Sequence, residues 1–186
     1  MATANPLQIR RAGPETRDDL RALLGGEPFG WCWCVAWEVP TWEGWGERTA
    51  DENRALRESL WKHGKYQGYV FYEGDEPVGW CRCGPRATWP KLCEQFGLDP
   101  AEPVHALTCF GLRPSHRGRG LLHEFLGLVL DHLSASGATR VEAFPRAAAS
   151  DDPDDVWNGP RSIFEKRGFE VVGEVPPRVH MVRRFD

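Results

Sequence analysis

The sequence has no apolar run approaching the roughly 20 residues that a membrane-spanning helix requires. Its amino end, residues 1–6, lacks the basic and apolar blocks of a signal peptide. It also lacks internal repeats, low-complexity tracts and any linker long enough to separate two domains. We therefore expect a cytoplasmic protein with one domain over residues 1–186, in which 41% hydrophobic residues suffice for one core.

Basic residues are not in excess, since the formal net charge is -4. Such a chain has no global positive field that would attract a phosphate backbone or an anionic lipid surface. We therefore predict that neither nucleic acid nor a membrane is a partner.

No Cys-x2-Cys pair occurs among the six cysteines, although Cys32-x-Cys34 and Cys81-x-Cys83 do. Structural zinc ligands more often come as Cys-x2-Cys, and alternate residues of a strand share a face without any metal. We predict reduced, packed thiols and no metal site.

Strand and helix patterns alternate along the chain, which predicts an α/β protein. The predicted strands are 7–11, 69–72, 78–81, 104–112, 139–144, 169–175 and 179–185. The predicted helices are a short one ending at Leu24 and those over 51–63, 90–96, 118–136 and 161–166. The helix over 118–136 has the strongest apolar periodicity and follows the longest strand.

The segment 112–122 joins that longest strand to that helix. Gly118 and Gly120 allow a sharp turn whose backbone N–H groups converge, and the helix adds the positive end of its dipole. Cationic side chains surround the turn: Arg113, His116, Arg117 and Arg119. The pattern indicates an anion site, and the alternative is a solvated Arg-Gly turn.

The run Arg117-Gly118-Arg119-Gly120, followed by Leu121 and Leu122, resembles the Arg/Gln-x-x-Gly-x-Gly/Ala coenzyme A loop of the GNAT superfamily of N-acetyltransferases. Leu122 replaces the usual small last residue. The stretch 164–169 is similar to a later signature of the family, and Trp31-Cys32-Trp33-Cys34 belongs to a set of segments that resemble one bacterial subgroup.

The resemblance implies a GNAT fold: an α/β mixed central sheet of about six to seven strands, splayed between strands four and five, with about four to five flanking helices. It also implies acetyl-CoA as co-substrate. The amides of residues 117–122 would bind the pyrophosphate, backbone groups of Phe110 and Leu112 would pair with pantetheine, and an N–H near Phe110 would polarise the thioester. The implied cofactor residues are Phe110, Gly111, Leu112, Arg117, Gly118, Arg119, Gly120, Leu121, Leu122 and Phe164.

The implied reaction moves an acetyl group to a primary amine of a small molecule, by direct transfer in a ternary complex. An alkylammonium near pKa 10.4 must lose a proton first, and either Glu142, facing the slot, or His105 is the candidate base. Many family members use a tyrosine to protonate the departing thiolate, but Phe164 occupies that position, so the candidate substitutes are Ser162, Cys109, Thr108 and a water. The alternatives are a CoA-binding sensor without turnover and an acyltransferase with a non-amine acceptor.

Five of the nine tryptophans crowd into residues 31–45. Trp31, Trp33 and Trp37 are predicted, together with Glu142, to contact the acceptor as an aromatic wall, and the alternative is that they fill the core. The final strand pair and exposed tryptophans suggest a homodimer.

Overall fold

The computed structural model describes residues 5–150, 152 and 156–185. Its strands are β1 (Leu7–Arg11), β2 (Gly68–Glu73), β3 (Glu76–Pro85), β4 (His105–Leu112), β5 (Arg140–Ala143), β6 (Glu170–Val175) and β7 (Arg178–Arg184). Its α-helices are α1 (Arg17–Leu24), α2 (Ala50–Lys62), α3 (Pro90–Phe96), α4 (Leu121–Ala135) and α5 (Arg161–Lys166).

The seven strands form one sheet in the order β1-β2-β3-β4-β5-β7-β6. Strands β4 and β5 run parallel, and every other neighbouring pair is antiparallel. The fold prediction is therefore confirmed: a mixed α/β sheet of the GNAT type with five α-helices among the described residues.

Alternate residues of β2 enter two different cores. Tyr69 and Phe71 pack with α4 on one face of the sheet, and the Phe71 and Phe125 rings stack at 4.6 Å between centroids. Val70 and Tyr72 pack on the other face with the leucines of α1. Because both faces are covered, residues 69–72 of β2 are hydrophobic on both faces of the strand.

The parallel pairing between β4 and β5 is short. It covers His105–Leu107 against Val141–Ala143 and then stops. Beyond that point the segment 156–159 lies beside β4: the Phe110 N–H donates to the Trp157 carbonyl at 2.8 Å, and Asn158 Nδ2 donates to the Thr108 carbonyl at 2.8 Å. The two strands therefore diverge, as predicted, and β4 presents an edge toward a cleft.

A cluster of buried charged side chains lies at the end of β4 and β5 where the two strands are still paired. Arg86 Nη1 lies 2.7 and 2.8 Å from the two carboxylate oxygens of Glu142, and both side chains are buried. Arg140 Nη2 lies 3.1 Å from Glu142 Oε1, and His180 Nε2 lies 3.4 Å from Oε2. Burial alone would raise the pKa of Glu142, but His180 and Arg86 outweigh it and hold that pKa below its ordinary value.

Among the described residues, no helix combines the length and apolar character needed to cross a bilayer. Val171 and Val172 are exposed on β6, at one end of the sheet order. The homodimer stays a prediction.

We expect Glu142→Gln to lower the free energy of unfolding by about 3 kcal/mol at pH 7, because buried Arg86 loses the carboxylate that contacts it through both oxygens and keeps only the more exposed Glu102 at 2.9 Å. Urea denaturation measures this. Since folding lowers the pKa of Glu142, its stabilisation is present above about pH 4.3 and declines as pH falls through the folded-state pKa. The stability gap between the native chain and the variant should therefore narrow in acid.

The matched control for this substitution is Glu165→Gln, which alters an exposed carboxylate paired with Arg161 at 2.7 Å. This change should cost only about 0.3–0.5 kcal/mol. Equal losses for the two variants would contradict a structural role for the Glu142 cluster.

Candidate active site

A cavity of about 1270 Å³ opens along the edge of β4 that the divergence exposes. Its lining comes from six parts of the chain: the loop after α1, α3 with the residue before it, the second half of β4, the start of α4 with the preceding turn, the segment before and within α5, and the start of β7 with the residue before it. The fold thus brings the predicted anion loop and the tryptophan-rich segment to one cavity.

At one end of the cavity lies the turn that precedes α4. Gly118 and Gly120 adopt φ values of +73° and +77°, in the left-handed region that favours glycine. Helix α4 begins at Leu121, and the N–H groups of Leu121 and Leu122 have no intrahelical partner, whereas those of His123 and Glu124 donate to the Gly120 carbonyl. Within the described chain, the N–H groups of residues 118–120 also donate no hydrogen bond. This end therefore presents a row of unpaired amides to the cavity, an arrangement that suits an anion.

The two arginines of the turn point to different places. Arg117 lines the cavity, and its Nε lies 3.3 Å from the Leu112 carbonyl oxygen. Arg119 instead binds both carboxylate oxygens of Glu73 at 2.5 and 2.9 Å and does not line the cavity. The expectation that both guanidinium groups surround the anion is wrong for Arg119, because Glu73 on β2 holds it on the outer side of the turn.

Phe110, Gly111 and Leu112 line the middle of the cavity. A β-bulge at Arg82 and Cys83 leaves Thr108 of β4 without a partner in β3. The N–H expected to polarise a thioester is already used, because Phe110 donates to Trp157. Pairing of a pantetheine amide with Phe110 therefore requires the Trp157 hydrogen bond to open.

Tryptophans line the other end of the cavity, and we call these six the indole wall: Trp31, Trp37, Trp42, Trp45, Trp89 and Trp157. Trp33, which was predicted to contact the acceptor, lies instead in the core beside α1, because the backbone at Trp33 and Cys34 turns through φ values of 48° and 52°. The sequence cluster therefore divides between wall and core.

Neither candidate base reaches the cavity. The prediction that Glu142 faces the slot is wrong, since its carboxylate is enclosed by Arg86, Arg140 and His180. His105 lines a separate small cavity of about 40 Å³ with Arg11 and Gln67. Burial lowers the pKa of His105. We therefore retain neither residue as a base. The predicted contact between Glu142 and the acceptor is wrong for the same reason.

The candidates for protonating the thiolate also divide. Ser162 is exposed on α5 and does not line the cavity. Phe164 is wholly buried between Phe110 and Phe169, so it does not line the cavity as a cofactor contact. Cys109 does line the cavity, with its Sγ 2.7 Å from that of Cys34.

Burial, with the hydrogen bond to Cys109, raises the pKa of the Cys34 thiol well above its ordinary value. Cys34 is therefore held as a thiol at neutral pH. No group of three or more His, Cys, Asp or Glu side chains suited to a metal ion occurs within the described ranges.

Several lining residues carried no sequence signal. Glu27 supplies the one carboxylate in the described part of the lining, and His123 and Lys166 supply further polar groups. Glu27 precedes a proline in an irregular loop, where no periodicity marks a direction. Trp157 follows an acidic stretch that has no hydrophobic periodicity. Only its large aromatic side chain indicated burial.

Comparison with known proteins agrees with this geometry. No sequence relative of curated function matches the chain. The PaiA N-acetyltransferase of Thermoplasma acidophilum, in complex with coenzyme A, is similar with a TM-score of 0.56 and 12% identity over 97% of this chain and 99% of its own. The aminoglycoside acetyltransferase AAC(6')-Ib, also with coenzyme A, is similar at 0.59 and 18% over 96% and 95%. An acetyltransferase from Thermus thermophilus is similar at 0.54 and 21% over 98% and 100%.

At these identities the structural neighbours show a shared fold. The family is shown by the sequence itself, because the model of the acetyltransferase (GNAT) family matches residues 33–153, which include β2 to β5, the Gly-x-Gly turn and α4. This chain belongs to the GNAT family of acetyltransferases.

Proposed function

We propose that this protein is an acetyl-CoA-dependent N-acetyltransferase that acts on a small-molecule primary amine by direct transfer in a ternary complex. The observation that carries the proposal is the division of one cavity into an amide-lined end and an indole-lined end, with the exposed edge of β4 between them. A cofactor with an anionic head and a reactive tail fits the first end and the strand edge. A second substrate fits the indole wall.

The diphosphate of the cofactor would lie on the amides of Gly118, Arg119, Gly120 and the first two residues of α4, with Arg117 beside it. Helix-terminal amides and a guanidinium both favour phosphate oxygens. The pantetheine arm would follow β4 and compete with Trp157 for the Phe110 N–H. This route brings the thioester toward Thr108 and Cys109, which line the cavity next to the wall.

In the reaction, the amine nitrogen forms a bond to the acetyl carbonyl carbon, the carbon–sulfur bond breaks, and the thiolate leaves. The attacking ammonium must lose two protons in all, one to become nucleophilic and one from the tetrahedral intermediate. We propose Glu27, acting through water, as acceptor of the first proton, since it is exposed and lines the cavity.

The departing thiolate takes the second proton. All three tyrosines of the chain, Tyr66, Tyr69 and Tyr72, are buried at or beside β2 and do not line the cavity. No tyrosine therefore serves as the acid. A coenzyme A thiol is acidic enough to leave with solvent as proton source, and Lys166 adds a positive charge to the lining.

The missing tyrosine and the occupied Phe110 N–H favour a second candidate, a CoA-binding sensor without turnover. An acyltransferase with a non-amine acceptor is the third. Acetyl-CoA incubated with the full chain and a panel of amines and alcohols distinguishes the three: thiol release with amines supports our proposal, release with alcohols alone supports the third, and tight binding without release supports the sensor. The likeness to a bacterial subgroup and a cytoplasmic location remain proposals.

We expect Gly118→Ala and Gly120→Ala each to raise the dissociation constant for CoA about tenfold, equivalent to about 1.4 kcal/mol, because both glycines line the cavity and hold the amides in place. Calorimetric titration measures this. Both substitutions strain a left-handed backbone and should also lower stability by about 1–2 kcal/mol.

Gly137 offers a matched control. It has φ of +84° and open space around its missing Cβ, as do Gly118 and Gly120, but it follows the far end of α4, about 22 Å away along the helix. Gly137→Ala should lower stability similarly and leave CoA affinity unchanged. An equal affinity loss in all three variants would contradict the anion site.

The two arginines of the turn supply a second test. Arg117→Ala should weaken CoA binding by about 10- to 100-fold, the range expected when a charged group loses a hydrogen bond of about 1.5–3 kcal/mol. Arg119→Ala should weaken binding less than threefold, because Glu73 already holds that guanidinium outside the cavity. The reverse order of effects would show that Arg119 turns inward to the cofactor.

Glu27→Gln should lower kcat for an alkylamine acceptor at least tenfold, since general-base catalysis contributes about 10²–10⁴. Glu43→Gln, an identical change at an exposed site that does not line the cavity, is the control. An unaltered kcat in Glu27→Gln would exclude Glu27 as the base.

A further inference from the structure

Five of the six rings of the indole wall form one continuous series, and Trp89 is the ring outside it. Neighbouring rings meet edge to face or tilted, with centroid distances of 4.9 Å for Trp31 and Trp45, 6.4 Å for Trp45 and Trp42, 4.9 Å for Trp42 and Trp37, and 6.0 Å for Trp37 and Trp157. Such contacts fix each ring through its neighbours. The wall therefore offers a preformed surface whose shape does not depend on the ligand.

Three of the six indole N–H groups of this wall are used elsewhere. The indole N–H of Trp31 donates to the Arg48 carbonyl at 2.9 Å, and that of Trp42 donates to Gln95 Oε1 at 2.8 Å. The indole N–H of Trp89 donates to Glu38 Oε1 at 2.9 Å. The indole N–H of Trp37 is buried without a partner. Most of the surface left for a ligand is ring carbon, which binds flat apolar groups by stacking.

Cations already occupy the faces of two rings. Lys91 Nζ lies 3.5 Å from the centroid of the Trp42 ring, is buried, and donates to the Ala36 carbonyl at 2.5 Å. The Arg178 guanidinium lies 4.7 Å above the Trp157 ring. Each cation draws on the negative face of its indole and repels a further positive charge nearby.

The charges of the lining also oppose a polycation. In the part of the chain that the structure describes, Glu27 is the one lining carboxylate, whereas Arg117, Lys166 and Arg178 all line the same cavity. A ligand with several ammonium groups needs carboxylates to replace its lost hydration. One exposed carboxylate matches a ligand with one amine.

We propose that the acceptor is an amine carried by a flat, neutral aromatic ring system, which stacks on the indole wall while its single amino group reaches the thioester. This proposal rests on the proposed function and names the substrate class of the same site. An aromatic wall can bind a ligand by apolar stacking or by cation–π contact. The proposal selects stacking, because Lys91 and Arg178 already supply the cations.

The test measures thiol release by the full chain from acetyl-CoA with three probes. Tryptamine has one alkylamine and a flat ring, hexylamine has one alkylamine and no ring, and spermidine has several ammonium groups. We expect kcat/KM for tryptamine to exceed that for either of the others at least tenfold. Equal values for tryptamine and hexylamine, or a higher value for spermidine, would overturn the proposal.

Variants locate the effect on the wall. Trp42→Leu should lower the ratio of kcat/KM for tryptamine to that for hexylamine at least fivefold. Trp61→Leu is the control, since Trp61 is a half-buried tryptophan of α2 that does not line the cavity. Equal losses in both variants, or equal losses for both amines, would contradict stacking on the wall.

Lys91→Gln tests the charge argument: the ratio of kcat/KM for spermidine to that for tryptamine should rise at least threefold, and an unchanged or lower ratio would count against it. Because Lys91 is buried, the thermal unfolding of the Lys91→Gln variant is recorded first. If this variant does not fold, the Trp42→Leu variant tests the proposal instead.

Two binding measurements separate the failures. Calorimetric titration with CoA alone tests the proposed function, and no binding there would end both proposals. Titration of the CoA-loaded protein with N-acetyltryptamine and N-acetylhexylamine tests the wall without turnover. Binding of N-acetyltryptamine at least tenfold more tightly than N-acetylhexylamine supports the proposal. If CoA binds but the two amides bind equally or not at all, the proposed aromatic substrate class is overturned and the proposed function is not.

Discussion

The short parallel pairing of β4 and β5 is the constraint on which the cavity depends. Three residue pairs join the strands, and beyond Leu107 the edge of β4 turns to Trp157 and Asn158. A longer pairing would close the sheet and leave no edge for a ligand. The buried contact of Arg86 with Glu142 lies at the paired end, where Glu142 is opposite Ala106. Sequence reasoning assigned Glu142 to proton transfer. In the structure it belongs instead to the cluster of buried charged side chains at the paired end of the two strands.

The sequence predicted β4, α4 and the turn between them well, because these elements depend on hydrophobic periodicity and on glycine. The apolar spacing of α4, the long run of β4 and the Gly-x-Gly turn each have one natural structural interpretation, and the structure places all three as expected. Glu142 was different. In β5, Val141, Glu142 and Ala143 are all buried, so alternation gave no sign of the direction in which the carboxylate points. Its partner Arg86 is 56 residues away, and no local pattern joins the two.

The tryptophans show a second limit of sequence reasoning. One residue separates Trp31, which lines the cavity, from Trp33, which lies in the core, and positive φ values at Trp33 and Cys34 cause the change of direction. Neither residue is a glycine, so nothing in the sequence marks the turn. Phe164 was misjudged for a related reason: a family position that commonly faces the cofactor is here turned into the core against Phe110 and Phe169.

Trp157 joins the two halves of the cavity. Its carbonyl accepts from Phe110 on the strand edge, while its indole completes the wall beside Trp37. A cofactor that takes the Phe110 N–H must displace that carbonyl. In the proposed function, one residue would therefore lie between the place of the thioester and the surface on which the second substrate would stack.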